Sequence, residues 1–111
     1  MKIETDFSRQ FKLKLPIINA PMFLISNEEL TAASLKAGIT AAVPSLNWRT
    51  SEQFRAALKK IKSMVGDKPF GVNIIVNKSN PRVKEDIKAC IDAGVAYFIT
   101  SLGSPKDVID Q

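Results

Sequence analysis

The chain has 111 residues, 45% of them hydrophobic and 24% charged, which suits one small soluble domain over residues 1–111 and argues against a disordered tail. Its formal charge of +5 is spread among Asp and Glu along amphipathic stretches, so it describes a solvated surface and not a nucleic-acid footprint. No apolar run nears the roughly 20 residues of a membrane span, Glu4 and Asp6 interrupt the region where a signal peptide would lie, the lone Cys90 permits no internal disulfide, and the absence of histidine removes the commonest general base.

The run Pro16-Ile17-Ile18-Asn19-Ala20-Pro21-Met22 predicts the first strand. Ser26 and Glu29 stand at capping-box spacing, so a helix is expected from there through Leu30, Ala33 and Ala37 to Gly38. A second strand is expected at Ile39 to Val43, followed by a loop over Pro44-Ser45-Leu46-Asn47-Trp48 and another capping-box spacing at Thr50 and Gln53. The helix beyond carries Phe54, Leu58, Ile61 and Val65 on one stripe and stops at Gly66. The third run, Phe70-Gly71-Val72-Asn73-Ile74-Ile75-Val76, is apolar on both faces, as in a central strand of a parallel sheet covered by helices. Asn80 is the expected cap of the next helix and Pro81 belongs to its first turn, with Val83, Ile87 and Ile91 as the buried stripe and Gly94 as the end. The fourth run, Val95 to Ile99, leads through Thr100-Ser101-Leu102-Gly103 to a helix start at Ser104-Pro105. Four strand-then-helix units in succession predict an α/β fold of parallel βα repeats.

In such folds ligands approach the C-terminal ends of the strands, so polar groups there carry more weight than charges on helices. Asn73 interrupts an apolar strand, and burying its amide without partners would cost roughly 1–3 kcal/mol. Alternation places it with Gly71 and Ile75, and Gly71 is expected to leave room beside the amide; a bond to a neighbouring strand would also account for it. Pro21 stiffens the end of the first strand and holds Ala20 extended, an edge suited to a planar cofactor, although Met22 and Phe23 also suit a core. Thr100, Ser101, Gly103 and Ser104 can bind an anion or simply cap a helix. Asn47 and Trp48 can touch a substrate, with packing on a helix as the other reading for Trp48. Lys78 and Arg82 read as solvated surface charge, and Cys90 as a small buried hydrophobe.

Several of these segments resemble one family. Pro16-Ile17-Ile18-Asn19-Ala20-Pro21-Met22-Phe23-Leu24-Ile25-Ser26 is similar to the opening strand and loop of nitronate monooxygenase (2-nitropropane dioxygenase) proteins. Pro44-Ser45-Leu46-Asn47, Phe70-Gly71-Val72-Asn73, Lys78-Ser79-Asn80-Pro81-Arg82 and Thr100-Ser101-Leu102-Gly103 follow in the family's order. The resemblance implies a TIM-type (β/α)8 barrel that holds FMN over its strand ends, with Ala20, Pro21 and Met22 beside the isoalloxazine and Asn73, Thr100 and Ser101 as further contacts. It also implies oxidation of an alkyl nitronate by O2 to a carbonyl compound and nitrite. Where the family uses a catalytic base, it is a histidine in a later glycine-rich segment, so no catalytic residue is expected within this chain. Asn77 departs from the histidine of several close relatives.

A complete barrel of this kind takes about 250 residues and eight strands. The chain is therefore expected to be an incomplete, N-terminal portion of about four strands, cut short at its C-terminus. Such a piece is expected to pair with a C-terminal half-barrel or with itself, because open strand edges invite pairing. Two other readings stay open: a flavin-dependent enoyl reductase-like barrel, and a noncatalytic half-barrel that pairs with another chain. A cytoplasmic location is expected, without membrane or nucleic-acid partners.

Overall fold

A computed structural model describes residues 2–111, the side chain of Asp107 excepted. The order is α1 (Asp6–Gln10), β1 (Ile18–Asn19), α2 (Glu28–Lys36), β2 (Thr40–Pro44), a 3-10 turn (Ser45–Asn47), α3 (Ser51–Val65), β3 (Gly71–Ile75), α4 (Val83–Ala93), β4 (Tyr97–Ser101) and α5 (Lys106–Ile109). The four strands form one sheet in the order β1-β2-β3-β4, every pair parallel. Parallel neighbours joined in sequence order by helices make this a four-stranded portion of a TIM-type barrel.

Register and alternation divide the sheet into two faces. Ile18 pairs with Thr40, Ala42 with Gly71, Pro44 with Asn73, and Asn73 with Ile99. Residues paired across parallel strands share a face, so Ile18, Ala42, Gly71, Asn73, Ile75, Tyr97, Ile99 and Ser101 line the inner side of the barrel wall. The outer side carries Ala41, Val43, Val72 and Ile74, which pack with Leu35, Phe54, Leu58, Ile61, Ala89 and Cys90 into the core between sheet and helices. The α3 stripe is buried as its spacing predicts: Phe54, Leu58 and Ile61 are fully enclosed and Val65 nearly so.

Three glycines end three helices, and Gly94 shows why. It closes α4 in the left-handed region at φ 70° and ψ 39°, where its amide caps Cys90 and Ile91 carbonyls and a side chain would be strained. Other boundaries differ from the expected ones. The cap of α2 is Asn27, whose side chain accepts the Leu30 amide, while Ser26 turns back toward the strand end. Thr50 caps α3 by accepting the Gln53 amide as expected, but the Gln53 side chain accepts the Arg49 amide, so the reciprocal bond of a capping box is absent. Asn80 does not cap α4; its carboxamide forms a turn with the Arg82 amide and bonds the Ile75 carbonyl, which delays the helix to Val83. Ile91 is 56% exposed, and the buried face of α4 is instead Asp86, Ile87, Ala89 and Cys90. β1 is reduced to two residues, and β4 runs two residues further than Ile99, so Thr100 and Ser101 belong to the strand.

The N-terminal helix was not foreshadowed by any apolar period. A capping box between Thr5 and Ser8 starts α1, and Phe7 and Phe11 set their rings against Tyr97 at 6.4 and 5.6 Å. The Tyr97 hydroxyl bonds Thr40 Oγ1 at 3.1 Å and the Ala41 carbonyl at 3.2 Å, so the ring is held at both ends. The space at Gly71 is taken by this ring, at the strand's start, and not by the Asn73 amide as expected: a Cβ built on Gly71 would lie 2.2 Å from Tyr97 Cε2. Surface charge is partly paired between helices, Arg55 with Asp92 at 2.6 Å and Lys60 with Glu29 at 2.9 Å. Exposed pairs of this sort contribute little to stability. Among the described residues no helix is long and apolar enough to cross a membrane.

Candidate functional site at the strand ends

The inner face of the sheet brings together Asn73, the middle residue of β3, and Ser101, the last residue of β4. Asn73 is half-buried, and its Nδ2 donates to the Ile99 carbonyl at 2.9 Å and to Ser101 Oγ at 3.1 Å. A carbonyl only accepts, so the amide nitrogen must face β4 and the amide oxygen must face away. Both amide protons are thus spent on β4, while Oδ1 has no partner among the described residues. Ser101 Oγ accepts from Asn73 and keeps its own proton to donate. The pair therefore offers one acceptor and one donor side by side. Thr100, adjacent in the same strand, alternates to the opposite face.

Ala20, Pro21 and Met22 follow β1, two strands away, a separation of about 10 Å by strand spacing. Their shape is fixed by Ser26, a buried side chain that accepts the Met22 amide at 2.8 Å and donates to the Ala20 carbonyl at 3.2 Å. Asn47 holds the same loop from the next strand end: Oδ1 accepts the Leu24 amide at 2.7 Å and Nδ2 donates to the Ser26 carbonyl at 2.8 Å. Leu24 sits at φ 63°, a left-handed conformation that costs a non-glycine residue roughly 1–2 kcal/mol. Anchored in this way, the loop exposes Phe23, Leu24 and Ile25 by more than 60% each. This apolar ledge lies past the C-terminal end of β1, at the same end of the parallel sheet as Ser101 of β4.

Arg82 overturns its reading as surface charge. Its side chain is only 18% exposed, and it donates to Trp48 O at 2.6 Å, Ser45 O at 3.3 Å, Ser51 Oγ at 3.3 Å and Asp86 Oδ1 at 3.1 Å. Asp86 is fully enclosed, and its Oδ1 also accepts from Ser51 Oγ at 2.7 Å. The other carboxylate oxygen lies 3.0 Å from the guanidinium but off hydrogen-bonding angle, so it adds charge attraction only. This cluster was missed because each member looks ordinary alone. The legible signal was the i,i+4 spacing of Arg82 and Asp86, with Asp86 one turn before Cys90 on the apolar side.

Trp48 packs on Phe54 of α3 at 5.6 Å, which is the helix-packing reading of that residue. Beside it a groove of about 470 Å³ opens among Leu46, Trp48, Arg49, Ile75, Pro81 and Leu102. Lys78 is exposed on the β3–α4 loop. Among the described residues no cluster of three His, Cys, Asp or Glu side chains could hold a metal.

Cys90 is fully enclosed. Burial first, and then the Asp86 carboxylate, push its thiol from the ordinary 9.0 up to about 12, with Arg55 opposing. At pH 8 that shift lowers the thiolate fraction about a thousandfold, so native Cys90 is expected to resist a thiol reagent that labels it promptly in urea. The shift also carries a sign for stability. Folding favours the neutral thiol, so its contribution is complete below pH 9.0 and is lost as pH rises toward about 12. Tyr97 moves the same way, burial raising its phenol against a lowering hydrogen bond from Thr40. Urea midpoints should accordingly fall between pH 9 and pH 12, and Cys90→Ala should flatten part of that slope.

Residues 5–108 match the family described as nitronate monooxygenase. A curated nitronate monooxygenase of Pseudomonas aeruginosa is 32% identical over 72 residues, covering 65% of this chain and 20% of that protein. Among solved structures, FabK from Thermotoga maritima superposes with a TM-score of 0.84 at 27% identity, covering 96% of this chain and 33% of FabK. A point mutant of the same FabK gives 0.83 at 26% identity, over 97% of this chain and 35% of the mutant. The chain thus spans about a fifth to a third of the length of these relatives. The family match runs through all four strand ends and the side chains just described, and by it the chain belongs to the nitronate monooxygenase family.

Proposed function

We propose that this chain supplies the flavin-facing strand ends of an FMN-dependent oxidoreductase that converts alkyl nitronates and O2 to a carbonyl compound and nitrite. The observation that carries the reading is the Asn73–Ser101 pair: an amide oxygen with no partner among the described residues, beside a hydroxyl whose proton no described group accepts. The pyrimidine edge of an isoalloxazine presents ring N–H and carbonyl groups, which that acceptor and donor complement. Ala20, Pro21 and Met22 would lie along the ring system, where a stiff backbone and an apolar ledge suit a flat, largely apolar surface. Thr100, on the opposite face, would act by fixing the end of β4 from the helix side.

When bound, FMN supplies the electron transfer between nitronate and oxygen, and the protein supplies binding, orientation and exclusion of water. A nitronate arrives as an anion and needs no proton removed, so the lack of a histidine in this chain does not conflict with the reaction. Asn73 fixes one edge of the site through β4, and Ser26 and Asn47 fix the other through the β1–α2 loop. β1 and β4 each have one strand neighbour among the described residues, and their free edges would pair with a complementary half-barrel or a second copy.

The direct test measures nitrite release and oxygen uptake from a short alkyl nitronate with the FMN-loaded protein and its complementary barrel half. Stoichiometric nitrite is the expected result. Nicotinamide-dependent enoyl reduction with no nitrite would replace this reading with that of a flavin-dependent enoyl reductase.

A further inference from the structure

The Arg82 guanidinium grips both ends of the segment that contains Asn47. It donates to the Ser45 carbonyl, at the start of the 3-10 turn, and to the Trp48 carbonyl just past its end. Asn47 closes that turn and extends its carboxamide to the β1–α2 loop, taking the Leu24 amide and giving to the Ser26 carbonyl. Ser26 then holds Met22 and Ala20 with its hydroxyl. Asp86 stands at the far end, enclosed on α4 and fixing the guanidinium together with Ser51. Hydrogen bonds between 2.6 and 3.3 Å, linked through the backbone of the 3-10 turn and of Ser26, thus connect α4 to the end of β1.

We propose that Arg82, pinned by Asp86, is a positioning residue for the Ala20–Met22 segment and acts on it through Asn47. The planar fork matters as much as the charge. Four acceptors lie around one guanidinium, and an ammonium at the same place has neither the reach nor the geometry to meet them together. Left-handed Leu24 gives the loop a reason to relax when Asn47 shifts, because its amide is held at that strained position by Asn47 Oδ1. The consequence for cofactor binding rests on the placement of FMN proposed above; the positioning of the loop does not.

The test is site-resolved amide hydrogen exchange on the protein without FMN, followed by FMN titration of the same samples. In Arg82→Lys, the Leu24 and Met22 amides are expected to exchange at least tenfold faster, while the Val72 and Ile74 amides of β3 keep their rates. Asn47→Asp provides a second variant should Arg82→Lys fail to fold. It keeps the acceptor for Leu24 and loses the donor to Ser26, so Met22 is expected to exchange faster while Leu24 stays protected. Wild-type rates at both amides in either folded variant would overturn the proposal. So would an equal rise in β3, which marks general destabilisation. The FMN dissociation constant is expected to rise about tenfold in parallel. Faster loop exchange with unchanged FMN affinity would uphold the positioning role and overturn the placement of FMN against this segment.

Discussion

Asp86→Ala is expected to lower the unfolding free energy by about 3–5 kcal/mol, because it leaves a mostly buried guanidinium without its counter-charge. The Asp86 carboxylate has no exposed surface; two hydrogen bonds, from Ser51 Oγ and Arg82, end on its Oδ1, and an ion-pair contact reaches Oδ2. Ser51 is the first residue of α3 and Asp86 lies in the first turn of α4, so the substitution also unties two helices at their N-terminal ends. Urea denaturation of the single and paired variants would measure it. Arg82→Leu combined with Asp86→Leu should recover part of the loss, since an apolar pair needs no partner. Recovery should stay incomplete because the Trp48 and Ser45 carbonyls also lose their donor. A loss below about 1 kcal/mol for Asp86→Ala would place this pair with exposed ones and contradict the burial argument.

Gly71→Val is expected to be the most disruptive substitution in the sheet that adds atoms and removes none. Even the first added carbon falls 2.2 to 2.6 Å from three atoms of the Tyr97 ring, well inside van der Waals contact. The ring has nowhere cheap to go: Phe7 and Phe11 flank it, and its hydroxyl is bonded to Thr40 and Ala41. Overpacking of this kind costs about 1–3 kcal/mol and sometimes more, so Gly71→Ala belongs in that range and Gly71→Val above it. Tyr97 is the sole tyrosine, so the NMR resonances of its ring report the displacement directly. Replacing Tyr97 with leucine in the Gly71→Ala background should relieve the strain. No recovery there would show that the backbone, and not the ring, resists the added methyl group.

Legibility differed by kind of residue. The strand-helix rhythm, the three glycine ends and the α3 stripe of Phe54, Leu58, Ile61 and Val65 were all readable, because periodic apolar positions and left-handed glycines are set by local sequence. Element ends were less so. Ser26 and Asn27 both suit a cap, and the choice fell to Asn27 because tertiary geometry claimed the Ser26 hydroxyl for Ala20 and Met22. Ile91 follows the apolar period, yet α4 meets α3 and the sheet on the side of Ile87 and Cys90. Asn73 stood out as a polar interruption of an apolar strand, but its pairing with Ser101 needed the register of β3 against β4. Arg82 and Asp86 are four residues apart, but the bonds from them to Ser45, Trp48 and Ser51, and the clamp by Asn47, join residues 21 to 37 positions apart, a separation that no local pattern encodes.

The proposed flavin contact of Asn73, the middle residue of β3, bears most of the weight of the functional reading. A visible absorption titration with FMN, comparing wild type and Asn73→Leu, tests it most directly. The expected result is a saturable flavin band in the wild type and a dissociation constant about tenfold higher in the variant, roughly 1.4 kcal/mol for one lost polar contact. Equal affinities in two well-folded proteins, or no spectral change in the wild type with its barrel completed, would rule out a flavin held by Asn73.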